Sequence, residues 1–293
     1  MNRRDFVKLT FGLFGSISLF EFPTELFAKG DTLYLRSLEL INNKIKFFSD
    51  DYFSFIVMGD SHRNDRVLKK AFELARSYDP LFVLFTGDMT NDGYEFEYKD
   101  FLNMCTLLGD IPIFPIIGNH EIRNSTKALY ETYMGPLNYT LCIDGLNLKL
   151  VCMDNSEGML KENQLQFLDK ELSDEEKILF VAMHEPPSYS DWWIHSYNKG
   201  DKEAINIISA HQVGAVFQGH IHLYDHKVIN GINYYISGGA GGKIFPLNFG
   251  DPSYNILHVK IIKGKVSVEE LQLRRFFDVN ELLSLENNLG ILG

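Results

Sequence analysis

The stretch Phe53–Met58, FSFIVM, runs directly into Gly59-Asp60-Ser61-His62. An apolar, β-branched and aromatic run of this length reads as a strand buried on both faces, and the switch to Gly-Asp-Ser-His ends it in a loop of polar donors. Working outward, the pattern recurs. A helix is predicted over Arg66–Tyr78, then a strand over Leu81–Phe85 that ends in Gly87-Asp88. A helix over Tyr94–Leu108 leads to a strand over Ile113–Ile117 that ends in Gly118-Asn119-His120-Glu121. This βαβαβ alternation implies a parallel sheet with helices on its faces. Downstream, Tyr139–Ile143 and Leu146–Met153 flank Asp144-Gly145, a hairpin signal. A helix over Glu162–Leu172, a strand over Ile178–Met183, a helix over Lys202–His211 and a strand over Ala215–Gln218 follow. Two further hairpins turn at Asn230-Gly231 and Lys263-Gly264. Parallel strands first and hairpins later predict an α/β protein of two packed sheets enclosed by helices.

Composition narrows the function classes. With 28 Lys and Arg against 39 Asp and Glu, the net charge is −11, the wrong sign for a protein that coats nucleic acid through a basic face. The 23 Phe and 14 Tyr exclude a generally disordered chain. Three cysteines, Cys105, Cys142 and Cys152, are too few for a disulfide scaffold or a zinc finger. A Cys142–Cys152 bridge between neighbouring strands is conceivable, but buried free thiols are the preferred reading.

The first 28 residues read as an address. Arg3-Arg4, with Phe6 and Lys8 behind them, precede a mostly apolar run of 12 residues from Leu9 to Phe20. That run is shorter than the roughly 20 residues a spanning helix needs. A basic start with a short apolar stretch matches a secretory signal, and the twin arginine resembles a twin-arginine translocation signal. The expectation is therefore export by the Tat translocase to the periplasm or another extracytoplasmic space. Leu26-Phe27-Ala28 is a poor cleavage site, and an uncleaved signal would leave the protein membrane-anchored. The domain proper is expected over residues 29–273, with a C-terminal tail over 274–293.

The chemistry-bearing residues all follow predicted strands. Asp60 and His62, Asp88, Asn119 and His120, His184, and His220 with His222 arrive on five separate loops. In open α/β sheets ligands collect at the carboxyl ends of strands. Each element alone is common by chance; five in this order are not. The glycines before Asp60, Asp88, Asn119 and His220 are read as permitting sharp turns. Oxygen and imidazole donors without thiolate suit Mn, Fe or Zn. Two ions at about 3.5–4 Å need a shared carboxylate, which fits the isolated Asp88.

This series, D-x-H, G-D, G-N-H-[ED], H and G-H-x-H, resembles the calcineurin-like metallophosphoesterase superfamily. The D-x-H opening and His184-Glu185-Pro186-Pro187 resemble its class III cyclic-nucleotide phosphodiesterase branch. The tyrosine that purple acid phosphatases carry after the G-D aspartate is absent, since Met89-Thr90-Asn91 stands there. The resemblance implies a four-layer αββα sandwich and a dinuclear centre of divalent or mixed-valence ions. One metal would take Asp60, His62, Asp88 and His222; the other Asp88, Asn119, His184 and His220. A bridging hydroxide would attack the phosphorus of a small-molecule phosphate mono- or diester, with His120, left unliganded, as general acid. The alternative is a catalytically silent metal-binding or scaffold protein on the same fold, although no ligand of the pattern is missing.

Glu121 either orients His120 or caps the next turn. Arg123 reads as a surface arginine, with a substrate phosphate as the rival partner. Trp192 and Trp193 read as packing of a lid loop or as stacking surfaces. The run 237–242, SGGAGG, reads as a flexible turn near the site, and His211 as a core or capping residue. His195, His226 and His258 receive no role.

The export reading is checked by fusing residues 1–30 to a reporter. Export is expected to need the twin-arginine translocase and to fail in the Arg3→Lys/Arg4→Lys double variant. Equal export without the translocase would remove the claim.

Overall fold

The computed structural model describes residues 31–173, 177–245 and 247–273. The signal and the C-terminal tail read from the sequence lie outside these residues. The two-sheet architecture is present. One sheet has five strands in the order β11-β10-β1-β2-β3, the other six in the order β4-β5-β6-β7-β9-β8. The strands are β1 Tyr52–Met58, β2 Val83–Phe85, β3 Ile113–Pro115, β4 Tyr139–Ile143, β5 Leu148–Cys152, β6 Ile178–Ala182, β7 Val213–Gln218, β8 Tyr224–Ile229, β9 Ile232–Ser237, β10 Asn255–Ile262 and β11 Lys265–Gln272. Strands β1, β2 and β3 pair in parallel, as do β5, β6, β7 and β9. The last hairpin returns to the first sheet, where β10 pairs antiparallel with β1.

The period of two along a strand explains the layers. In β1, Phe53, Phe55 and Val57 face the second sheet and meet Phe180, Ala182 and Phe217 in the central core. Phe55 stacks on Phe82 with centroids 4.7 Å apart and meets Phe180 edge-on at 5.4 Å. Leu179 and Val181 of β6, with Met183 just beyond its end, face the other way, into an outer core with Leu165 and Leu168 of one helix and Ala204, Ile205 and Ile208 of another.

The helices are α1 Leu33–Lys44, α2 Asp65–Ser77, α3 Glu95–Cys105, α4 Lys127–Tyr133, α5 Glu162–Leu172 and α6 Asp201–Ala210. Helix α2 buries Val67, Leu68, Ala71, Phe72 and Ala75, and α3 brings Phe101 to 4.8 Å from Phe85. The result is the four-layer αββα sandwich. Among the described residues no helix is long and apolar enough to cross a membrane.

Helices α1 and α4 have no counterpart in the sequence reading. On α1 the buried face is Leu33, Ser37, Ile41 and Lys44, so polar residues interrupt the apolar stripe. Ser37 is buried because its hydroxyl serves both backbone groups of Ile113, donating to the carbonyl (2.6 Å) and accepting from the N–H (3.0 Å). Tyr34 packs on Phe114 and Tyr139, so α1 covers the exposed edge of β3. The connection at Asp144-Gly145 is a 3₁₀ turn through Leu146 with Asn147 at φ 50°, longer than a two-residue hairpin. At Asn230-Gly231 and Lys263-Gly264 both turn residues have positive φ, as a type I′ turn requires. All three cysteines are free; Cys105 and Cys152 are buried as expected, whereas Cys142 is exposed and lies opposite Lys149 on β5.

Candidate metal centre

The strand ends of both sheets deliver the predicted residues to one place. Loops after β1, β2, β3, β6 and β7 carry Asp60 and His62, Asp88, Asn119 and His120, His184, and His220 and His222. Ligating atoms of Asp60, His62, Asp88 and His222 lie within 4.8 Å of one another, as do those of Asp88, His184 and His220. Asn119 joins the second group, with Oδ1 3.1 Å from His184 Nε2 and 3.0 Å from His220 Nδ1. Asp88 belongs to both groups. Its Oδ2 lies 3.4 Å from His62 Nε2 and 3.2 Å from His184 Nε2, while Oδ1 accepts from the His120 backbone N–H at 2.9 Å. His120 belongs to neither group, and its Nε2 stays 3.9 Å from Asp88.

Backbone carbonyls fix the imidazoles. A carbonyl only accepts, so the ring nitrogen facing it carries the proton. His184 Nδ1 donates to Thr86 (2.7 Å), His222 Nδ1 to Lys243 (2.8 Å) and His120 Nδ1 to Asn91 (2.7 Å). The Nε2 atom of each ring is thereby left as a lone pair or proton carrier, facing the other ligating groups for His184 and His222 and lying near Asp88 for His120.

The donor set fits metal ions. The Nε2 atoms of His62 and His222 face each other at 2.9 Å, a distance at which two lone pairs need a shared proton or cation. Asp60 Oδ2 is buried without a hydrogen-bond partner. Burial raises Asp60 to about 7, against the pull of His184. Burial acts on Asp88 too, but His184 and His62 overcome it and hold that carboxyl well below the usual range. Burial alone would lower His184; Asp88 and Asp60 instead hold it up at about 10. The pocket thus concentrates carboxylate charge beside imidazole donors, the environment a divalent cation completes.

The local backbone is strained for this purpose. Asp60, His62, Asp88, His220 and His222 all have positive φ, between 44° and 72°. Left-handed conformations cost non-glycine residues free energy and cluster at functional sites. This corrects the reading of the preceding glycines. Of Gly59, Gly87, Gly118 and Gly219, only Gly87 has positive φ (99°). The others are required by space: a Cβ would stand 2.2 Å from Thr86 Oγ1 at Gly59, 2.2 Å from Asp88 Oδ1 at Gly118 and 2.4 Å from Asp60 Oδ2 at Gly219.

Glu121 does not touch His120 through its carboxylate. That carboxylate is fully buried and accepts from the backbone N–H of Asp88 (2.9 Å), Thr90 (2.9 Å) and Gly118 (2.7 Å), and from the Thr90 hydroxyl (2.9 Å). It staples the Asp88 loop to the Asn119 loop. The 237–242 run is a buried wall: Gly242 donates to the Asp60 carbonyl (2.6 Å), Ala240 to that of Gly59 (3.2 Å), and Asn64 Nδ2 to that of Gly241 (3.0 Å). Trp192 is buried and donates to Asp225 (2.7 Å), whereas Trp193 is 67% exposed. His211 accompanies Asp169 at 3.0 Å, away from the site. Arg123 is exposed at the rim.

The cleft above the centre holds about 810 Å³ and is also lined by His195, Lys243, Phe245 and Tyr254. Sequence reasoning assigned these no role because they sit outside the motifs; the proximity of Lys243 to the glycine run is the one signal that pointed there.

Replacing Glu121 by Gln keeps the volume but puts an amide NH₂ against backbone donors. Metal affinity is expected to fall by about 10–100-fold with the fold intact. Competition with a chromogenic chelator, alongside circular dichroism, measures this; unchanged affinity would make Glu121 a purely structural residue.

Residues 53–224, more than half of the chain, match the model of the calcineurin-like phosphoesterase family. Among curated relatives, a probable glycerophosphodiester phosphodiesterase of Arcobacter nitrofigilis is 30% identical over 49% of this chain and 57% of its own. A probable cyclic nucleotide phosphodiesterase of Moraxella catarrhalis is 23% identical over 52% of this chain and 61% of its own. The chain thus spans less than two thirds of the length of the curated relatives it matches. In fold it resembles a purple acid phosphatase from yellow lupin seeds (TM-score 0.65, 13% identity, 80% of this chain and 56% of that one). It also resembles a dimetal phosphatase from Danio rerio (TM-score 0.61, 14% identity, 75% and 96%). The chain belongs to the calcineurin-like phosphoesterase family.

Proposed function

We propose that this protein is an exported phosphodiesterase with a dinuclear transition-metal centre of Mn, Fe or Zn. The observation that carries the reading is the position of Asp88, one carboxylate shared by two groups of ligating atoms. In this reading Asp60, His62, Asp88 and His222 hold one ion, and Asp88, Asn119, His184 and His220 the other. The diester preference rests on the two relatives, a probable glycerophosphodiester phosphodiesterase and a probable cyclic nucleotide phosphodiesterase, and export on Arg3-Arg4 ahead of the apolar run.

When bound, two such ions supply Lewis-acid neutralisation of phosphoryl charge and an acidified water nucleophile. The remaining work falls to the protein. His120 stands outside both ligand groups, with its Nδ1 proton held by Asn91. In the substrate-free site burial lowers His120 to about 4; Asp88 opposes this, while His62 and Arg123 add to it. In this reading the Nε2 of His120 carries a proton when the diester is bound. That proton then passes to the departing alkoxide.

Loss of the imidazole should matter most where the leaving group needs a proton. His120→Asn is expected to retain both metals yet lose about 10²–10⁴-fold in kcat/KM on alkyl phosphodiesters, and far less on esters of acidic phenols. A leaving-group series on wild type and variant, with metal content on the same samples, measures this. A uniform loss would make His120 a positioning residue, and loss of a metal would make it a ligand.

A further inference from the structure

The family match ends at residue 224, yet the segment joining β9 to β10 forms one wall of the cleft. Its backbone is tied to two ligand loops, those after β1 and β7. Gly242 N–H reaches the Asp60 carbonyl at 2.6 Å, the Gly241 carbonyl accepts from Asn64 Nδ2 at 3.0 Å, and the Lys243 carbonyl accepts from His222 Nδ1 at 2.8 Å. The side chains that follow are presented to the cleft. The Phe245 ring lies nearly parallel to His222 (29°), with centroids 5.9 Å apart, and remains 43% exposed. Lys243 Nζ lies 5.7 Å from the Phe245 centroid, and Lys243 has no ion-pair partner among the described residues. Arg63, on the opposite loop, is by contrast paired with Asp100 at 2.9 Å.

A large apolar ring left open in a cleft of carboxylates and imidazoles has water as its alternative partner. An unpaired ammonium beside it, in a chain of net charge −11, is placed to meet an anion. A ring and a cation so close together fit one ligand that is both flat and anionic.

We propose that Lys243 and Phe245 form a specificity subsite for one ester arm of the substrate. Lys243 engages a non-bridging phosphoryl oxygen and Phe245 stacks on a planar aromatic group carried by that arm. The substrate class is thus a phosphodiester with at least one aryl or heteroaryl substituent. The inference rests on the phosphodiesterase reading for its substrate. Its test uses binding, so that the two can fail separately.

The experiment is calorimetric titration of the metal-loaded full chain with diphenyl, dibutyl and dimethyl phosphate. Metal content is measured on every sample. Wild type is expected to bind diphenyl phosphate at least about tenfold more tightly than dibutyl phosphate, and dimethyl phosphate most weakly. Phe245→Ala should remove the aryl preference, with metal content and dimethyl phosphate affinity unchanged; Phe245→Tyr should restore it. Lys243→Ala should weaken all three diesters by about fivefold, and Lys243→Arg should recover most of that loss. Equal affinity for dibutyl and diphenyl phosphate would overturn stacking in favour of unspecific apolar contact. An aryl preference that survives Phe245→Ala would overturn the subsite. Tight aryl-dependent binding without turnover would leave the subsite standing and defeat the phosphodiesterase reading.

Discussion

The shared carboxylate of Asp88 is the constraint on which the site depends. One of its oxygens is held by the His120 N–H, and the other stands between His62 and His184. A buried carboxylate is costly unless it is paired and hydrogen-bonded. Here the partners that ionise it are the imidazoles of both ligand groups, so the two groups are electrostatically one unit. Glu121, a second buried carboxylate, accepts the backbone N–H of Asp88 itself and so fixes its loop against that of Asn119. Loss of the Glu121 carboxylate would leave the N–H groups of Asp88, Thr90 and Gly118 unpaired, whereas the Asp88 charge adds to burial in pushing the Glu121 carboxyl up.

That arrangement is held by a rigid frame. Five site residues sit at positive φ, a strain that persists only where surrounding structure over-determines it. The over-determination comes from the strands beneath. Phe53, Phe55 and Val57 lock β1 against the second sheet, while Val181 and Met183 lock β6 against its outer helices. The carboxyl ends of the two sheets are therefore fixed relative to each other, and loops from both can share one set of ligands. The thick apolar layers of the sandwich and the polar cleft at its edge are two consequences of one chain pattern, apolar strand followed by polar turn.

That pattern is what the sequence displays most openly. Strand ends that switch from FSFIVM to Gly-Asp-Ser-His, or from an apolar run to Gly-Asn-His-Glu, mark the site in the sequence, and the structure brings those residues together. Less was legible where function and folding share a residue. Helix α1 hid because Ser37 and Lys44 occupy its buried face for hydrogen bonds rather than burial of carbon. The glycines were visible but their reason was not, since spacing alone cannot distinguish a turn from a close approach of Thr86 or Asp88. The role of Glu121 depends on three backbone donors from two loops, and the donors of Asp88 and Thr90, about 30 residues away in sequence, leave no local signature. The cleft wall at Lys243 and Phe245 lies after a glycine run that reads as flexible, yet its backbone bonds fix it against the ligand loops.

The central claim is that one carboxylate serves two metal ions. Metal content of Asp88→Asn by inductively coupled plasma mass spectrometry, after equilibration with limiting free metal, tests it most directly. The account predicts that wild type retains about two ions per chain and that the variant loses both together, since the neutral amide weakens each site at once. Retention of one ion at full occupancy, or of both, would contradict it.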